Sequence, residues 1–497
     1  MNKDREEGFI MRELVIGLDI GTTSVKAVVF ARDGKVVHEA EQLINTFYPK
    51  ESYVEQNPKE IEEKSRLVLQ TVLQQTSSEN VLAVGISCAM HSIICVNKNG
   101  EPLSPMLIWS DGRSNDLIEQ LTDEEKQQMY GRTGTPIHPM APIWKLKWMK
   151  ENQYVPYSQA HYYLSMKDYL LFQWTGELVT DYSMASASGL MNIHKLSWDK
   201  DALEVAGIKE EQLPRIVPPT YILSKLNNQM KQELQWPIDT KLVIGAADGQ
   251  LANLGNGAIE AGEVAVSVGT SGAIRQMISG QHVNENGETF SYAFTNQSSI
   301  IGGPTNNGGI ALQWLMDMME FEGTHEEFIV GAEKVAIGSE GLLFIPYING
   351  ERAPVWNQKA RGNFFGLSIT HKREHLVRAV LEGIVFNLFK IGKSLEEIAG
   401  KPKTISVNGG LSKSPLWVQI MADVFGQEIQ LAETHHAAAW GAAWTALVAI
   451  EEEISFTTIK QHIPIEGRIE PNMEAHERYM EIFKKYNRLE QDISCYF

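Results

Sequence analysis

The sequence predicts an α/β protein built from two related lobes that face one another. Three observations predict it. Apolar runs of strand length alternate with helix-period stretches along the chain. One strand-and-turn device occurs twice, once in each half. A glycine-dense break, residues 254–262 (LGNGAIEAG), lies between the two copies. The length agrees: 497 residues, at ~150 residues per domain, give two or three domains with ample core. The expected division is a loose N-terminal tail at 1–12, a first lobe at 13–256 and a second at 257–497.

The elements follow in order. Residues 14–20 (LVIGLDI) form a short apolar run that turns through Gly21-Thr22-Thr23-Ser24. Residues 25–31 (VKAVVFA) come next, then a turn at Asp33-Gly34 and residues 35–37, so the segment reads as hairpins. A helix is predicted from Pro58 through the seventies, and another strand at 81–87 (VLAVGIS). In the second half, residues 263–268 (EVAVSV) run into Gly269-Thr270-Ser271-Gly272, the counterpart of the first turn. Residues 404–407 (TISV) lead through Gly409 and Gly410 to an amphipathic helix. Ser414 is its N-cap, Pro415 its first residue, and Leu416, Ile420 and Val424 share one stripe. Trp144 and Trp148, like Trp440 and Trp444, recur at i,i+4, the mark of a packed helix face.

Composition narrows the function classes. Hydrophobic residues make up 43% and charged residues 21%, which excludes wholesale disorder. The 62 acidic against 44 basic residues leave a formal charge of −18. That disfavours nucleic acid and anionic membrane as partners, since both reward a basic face, while leaving room for a local anion pocket. Three cysteines, Cys88, Cys95 and Cys495, lack both a disulfide framework and zinc spacing, and read as reduced thiols. No apolar run approaches the ~18 residues of a membrane span, and MNKDREEGF has no signal core. The expectation is a soluble cytoplasmic protein, with Met11 as a second candidate start.

Five glycine-containing loops carry the candidate chemistry. A strand that turns through Gly21, Thr22, Thr23 and Ser24 presents backbone N–H groups and hydroxyls suited to phosphate oxygens. Asp19 at the strand end is placed to hold Mg²⁺ through water. One such turn alone also reads as a plain hairpin with Asp19 capping its own backbone. The second turn at Gly269 and Thr270 favours two turns gripping one polyphosphate. Asp248, among small residues after the strand at 241–244, is open to a substrate hydroxyl, as a general base must be; an N-cap role is its alternative. Gly409-Gly410 and Gly308-Gly309 each precede a helix, where a ligand can lie against bare backbone or where the chain simply turns tightly.

With these motifs in place, the chain resembles the FGGY carbohydrate kinase family of the actin-like ATPase superfamily. The resemblance runs in order from about residue 13 to 450. It includes the turn at 19–24, Trp109-x-Asp111-x-Arg113, Met140-x-Pro142-x-x-Lys145-Leu146-x-Trp148, Thr175-Gly176-Glu177, the Asp248 loop, Gly269-Thr270-Ser271, Gly309-x-x-x-Gln313-Trp314 and Gly409-Gly410-x-Ser412. It implies two ribonuclease-H-like domains, each a mixed sheet flanked by helices, around a central cleft. It also implies ATP and Mg²⁺ as cofactors, with Gly21, Thr22, Thr23, Ser24, Gly269, Thr270, Gly309, Gln313, Gly409 and Gly410 along the nucleotide's path. Asp248 falls on the family's catalytic base, and phosphoryl transfer asks the protein mainly for positioning and charge neutralisation.

Within the family, the segments at 87–92, 109–114 and 132–140 most resemble members that phosphorylate gluconate at its primary hydroxyl; xylulose kinases are the alternative. Met90 and His91 match a substrate-contacting pair of the related xylulose kinases. An aldonate asks for one cation and several hydrogen-bonding groups, and Arg113, Lys145, His91 and His138 are the candidates. The partners expected are thus a small sugar acid and ATP, with a homodimer as the assembly considered.

Other readings have less behind them. His371-x-x-Glu374-His375 fits an inverted zinc-protease spacing, but it sits at a helix's polar start, and His435-His436 lies in a loop. A non-catalytic sugar sensor on the same fold usually carries a helix-turn-helix, for which residues 1–12 are too few. A chaperone- or filament-type ATPase predicts a long appended domain that the segment after Ser455 does not offer.

Overall fold

The computed structural model describes residues 13–76, 80–432, 436–463 and 465–497. The tail expected at 1–12, with Met11, and His435 lie outside the described residues. The first sheet comprises β1 (Glu13–Ile20), β2 (Ser24–Ala31), β3 (Val36–Leu43), β4 (Asn80–Cys88) and β5 (Lys241–Ala247), in the order β5-β4-β1-β2-β3. β1, β2 and β3 are antiparallel hairpins, while β4 joins β1 in parallel and β5 joins β4 in parallel.

The second sheet comprises β6 (Glu263–Val268), β7 (Gly272–Ser279), β8 (Phe290–Thr295), β9 (Ser298–Thr305), β10 (Thr404–Asn408), β11 (Ile429–Ala432) and β12 (Ile465–Ile469). Its order is β8-β9-β7-β6-β10-β11-β12. Without the edge strands β8 and β12, order and direction repeat the first sheet: β9-β7-β6 antiparallel, then β10 and β11 parallel. The duplicated turn is therefore the trace of a duplicated topology.

Helices cover both sheets: α1 (Pro58–Gln75), α2 (Pro142–Glu151), α3 (Met166–Thr175), α4 (Asp248–Gly255), α5 (Gly309–Met318), α6 (Arg373–Ala399), α7 (Pro415–Phe425), α8 (Ala437–Ala449) and α9 (Met473–Ile493). The period-2 alternation of a strand sends its side chains to two different cores. Leu14, Ile16, Leu18 and Ile20 share one core with Ile61, Val68, Leu69 and Val72 of α1. Val15 faces the other way, into a core with Trp440, Ala443 and Trp444 of α8. Gly17 and Gly85 lie on that face, where a Cβ would run into the carbonyls of Ala439 and Ala442. Glycine there lets helix backbone lie directly on sheet.

The two lobes share a seam. The expected division gives residues 437–449 to the second lobe, yet α8 is buried against the first sheet. The reason is the repeat: β11 leads into α8 as β5 leads into α4, and the two helices meet at the seam, Gly441 against the Leu251 carbonyl. The second core gathers Val264, Val266 and Val268 of β6 with Val380, Ile384 and Leu388 of α6 and Tyr479 and Tyr486 of α9. Among the described residues no helix is long and apolar enough to cross a membrane.

Candidate active site

The two Gly-Thr turns open onto the space between the sheets. Gly21 N donates to Ser24 O at 3.0 Å, and Gly269 N donates to Ser271 O at 2.9 Å. The second turn is tied to α5, because Gly309 N donates to Gly269 O (2.7 Å) and Ile310 N to Thr270 O (3.0 Å). A cleft of about 440 Å³ is lined by Thr22, Met90, His91, Trp109, Asp248, Gly269, Thr270, Arg275, Tyr292 and Arg352, among others. A second cavity of about 420 Å³ is lined by Gly309, Gln313, His325, Gly410, Lys413 and Ser414, and it shares Gly269 and Thr270 with the first. Two chambers thus meet at one turn.

Residues 19–24 divide their tasks. Thr22 reaches the cleft. Thr23 is exposed and its carbonyl accepts from Ile44 N at 2.9 Å, while Ser24 is buried at the start of β2. Gly409 takes φ +98°, a conformation that favours glycine, and a Cβ there would meet the Val268 backbone. It thereby lets Gly410 approach the second cavity.

Asp248 is the first residue of α4, and its Oδ1 accepts from Gly249 N at 2.7 Å. Burial, and then the charge of Asp19, raise its carboxyl to about 6. Asp19 is itself raised by burial, while Ser87 Oγ donates to its Oδ1 at 2.7 Å from the neighbouring strand β4. A base near neutrality, open to a cleft, suits proton abstraction from a hydroxyl. The buried ion pair of Lys167 with Asp181 (2.5 Å) lies nearby, and the Lys167 charge works to lower Asp248.

The cations named from sequence separate sharply. Arg113 does not line the cleft. Its Nε donates to Asp111 Oδ1 (2.8 Å), its Nη2 to Glu55 (2.6 Å), and Tyr53 stacks on it with the ring centroid at 4.0 Å. Lys145 has no exposed surface; it donates to the carbonyls of His91 (3.1 Å) and Met140, and burial first of all lowers it to about 7. His138 is buried beside Trp356 and its Nδ1 accepts from Met140 N at 3.2 Å. Only Met90 and His91 of that group line the cleft. His91 is lowered to about 3 by burial, so it is neutral; Nδ1 at 2.8 Å from Ala187 O is then the donor and Nε2 the ring's acceptor.

The cations that do line the cleft, Arg275 and Arg352, were missed from sequence. Their signal was available: Arg275 is the one charged residue in the apolar strand β7 (GAIRQMIS), and Arg352 follows Asn349-Gly350-Glu351 in a turn. Both stand outside the recognisable motifs. The rings of His371 and His375 lie 5.4 Å apart and each Nδ1 accepts a backbone N–H at the start of α6.

The model of the N-terminal domain of the FGGY family of carbohydrate kinases matches residues 14–255, and that of its C-terminal domain matches 264–450. The chain belongs to the FGGY family of carbohydrate kinases. This FGGY kinase is 39% identical over 496 residues to a gluconokinase of Bacillus subtilis (strain 168), covering 96% of each chain. A xylulose kinase of Staphylococcus epidermidis (strain ATCC 12228 / FDA PCI 1200) is 27% identical, covering 97% of each. Among solved structures, gluconate kinase from Lactobacillus acidophilus superposes on the FGGY kinase with a TM-score of 0.94 at 32% identity, covering 97% of this chain and 98% of that one. Ligand-bound xylulose kinase from the same organism matches with the same scores. The fold is the two-domain FGGY fold of the actin-like ATPase type.

Proposed function

We propose that the protein transfers the γ-phosphoryl group of ATP to the primary hydroxyl of a sugar acid, D-gluconate, giving 6-phospho-D-gluconate and ADP. The observation that carries the reading is the position of Asp248: its raised carboxyl lines the larger cleft beside the Gly269-Thr270 turn that the second cavity shares. The acceptor occupies the Asp248 cleft and the nucleotide lies along Gly309, Gln313 and Gly410. The hydroxyl oxygen forms the new bond to phosphorus as the bond to the ADP oxygen breaks, and Asp248 takes the hydroxyl proton. Thr22 and Thr270 offer N–H and hydroxyl donors to phosphate oxygens.

Mg²⁺ fits this arrangement. Asp19 and Asp248 are two carboxylates raised by burial, and the charge of Asp19 works against the ionisation of Asp248. Asp19 would hold the ion through water, and the ion would supply charge neutralisation on the phosphates. Three free cysteines, two of them buried, fit a reducing compartment, and we place the reaction in the cytoplasm.

The assignment to gluconate is supported by the gluconokinase and gluconate kinase relatives. A ketopentose is the second reading, since the xylulose kinase structure matches equally well. ADP release with a panel of aldonates, ketopentoses and polyols in the presence of Mg·ATP tests it. Gluconate should give the highest kcat/KM. Gluconate releasing no more ADP than buffer overturns the reading.

A further inference from the structure

We propose that Arg275, flanked by Arg352, binds the carboxylate of the acceptor and makes this cleft selective for sugar acids over neutral sugars. The inference rests on the sugar-acid kinase reading and adds the group that recognises the acid.

The two arginines differ from Arg113, Lys145 and Lys167 in having donors to spare. Arg113 is neutralised by two carboxylates, Lys167 by Asp181, and Lys145 donates to two carbonyls. Arg275 makes no ion pair and no hydrogen bond among the described residues, and its buried Nε is unpartnered. The guanidinium lies against the catalytic turn: a Cβ on Gly249 would stand 3.2 Å from Arg275 Nε. Arg352 donates through Nη2 to Thr305 O (3.2 Å) and stacks on Trp109 at 4.8 Å, and its Nε also lacks a partner.

Glu351 favours the Arg352 charge from the adjacent position but makes no ion pair with it. Its carboxylate accepts from Thr305 Oγ1 (2.7 Å), Asn306 N (2.8 Å), Asn307 Nδ2 (3.1 Å), Asn387 Nδ2 (2.9 Å) and Arg352's own backbone N (2.7 Å), and none of these donors is a guanidinium. Two like charges line one cleft with unused donors, which costs free energy in the empty enzyme. An anion in the cleft converts that cost into affinity. A carboxylate matches the planar fork of a guanidinium, and a neutral sugar offers no such partner. Asp248 is near enough to be influenced by Arg275, which works to lower it, without being paired to it. An acceptor can therefore present its acid to Arg275 and its hydroxyl to Asp248 from one bound position.

The test is Arg275→Gln, with Arg275→Lys as the conservative variant, in the full chain. For Arg275→Gln we expect the KM for gluconate, and its Kd by calorimetry without nucleotide, to rise about a hundredfold, as for losing one partner of a desolvated charge pair. The ratio of kcat/KM for gluconate to that for D-xylulose should fall by about thirtyfold, because only the gluconate complex loses a charge pair, while any effect of the lost charge on Asp248 is common to both acceptors. Arg275→Lys should recover part of the gluconate affinity. Without ligand, Arg275→Gln should melt no lower than wild type, and gluconate should no longer raise its melting temperature. Gluconate turnover with an unchanged KM in Arg275→Gln overturns the anchor alone. An equal loss of kcat with every acceptor also overturns it, by assigning Arg275 to the phosphoryl group. A wild-type enzyme that phosphorylates neutral sugars and no sugar acid overturns the functional reading together with the anchor.

Discussion

The two lobes share a strand order and differ in chemistry. Asp19 and Ser267 hold the same place, two residues before the turn glycine, and they pair in parallel with Ser87 and Asn408. On the returning strands, Val28 of β2 opposite Gly17 and Arg275 of β7 opposite Ala265 hold the same place. The first lobe thus brings the Asp248 carboxylate to the cleft, with Asp19 near enough to act on it, and the second brings cations and bare backbone, Arg275, Arg352 and the Gly269-Thr270 turn. Topology decides where groups converge, and a few turn and strand positions decide what they do there. A hydroxyl must lose a proton while a phosphoryl group and an acid are held, so the division suits the reaction.

The strongest way to break the contrast is on the acidic side. Asp248→Asn should lower kcat by about 10²- to 10⁴-fold, as for a removed general base, with ATP affinity intact by calorimetry. The folded-state carboxyl is raised above its unfolded value, so between the two pKa values the folded state holds more protons and loses stability as pH rises. The variant lacks that penalty and should melt no lower than wild type at pH 7.5. Near-normal turnover would remove Asp248 from the mechanism.

A second substitution contrasts the paired cation of the first lobe with the unpaired one of the second. Arg113→Met strands Asp111 and Glu55, and breaking such a buried pair costs about 3 kcal/mol of stability. Urea unfolding should show that loss, with a far smaller rise in gluconate KM than Arg275→Gln gives. A large KM effect at unchanged stability would mean that Arg113 contacts the acceptor.

The same contrast explains what was legible in the sequence. The duplicated turn was visible because glycine and threonine at fixed offsets are a local signal, and with it came both Gly-Thr turns, Asp248 and the strand-to-helix turn at Gly409. Arg113 and Lys145 were visible as residue types inside motifs, but sequence does not show whether a cation is already neutralised. Asp111 and Glu55 reach Arg113 from two and fifty-eight residues away. Arg275 was hidden by the reverse circumstance, since nothing local distinguishes an unpaired arginine from a paired one. The seat of α8 on the first sheet was hidden too, because it depends on Gly17 and Gly85 meeting a helix more than 350 residues later.

Next in size is a pH effect. With Asp248 at about 6, kcat/KM should hold from pH 8 to 7 and fall below 6, approaching tenfold per unit as the base is protonated. His91, lowered to about 3, stays neutral over this range and adds no step. The profile of kcat/KM between pH 8 and 5 checks this, and a flat profile down to pH 5 would contradict the raised carboxyl.

The smallest effect separates a shared structural device from its use. Both lobes start a helix with a cap and a proline: Asn57 before Pro58 of α1, and Ser414 before Pro415 of α7. Asn57 accepts from Lys59 N at 3.0 Å and Ser414 from Trp417 N at 3.3 Å, so alanine at either position should cost about 1 kcal/mol of stability. Ser414 alone lines the proposed nucleotide cavity. Ser414→Ala should therefore also raise the KM for ATP about fivefold, the worth of one hydrogen bond, while Asn57→Ala leaves it unchanged. Equal KM values in the two variants would mean that the hydroxyl serves the helix only, and that nucleotide contacts on this side come from the Gly410 backbone.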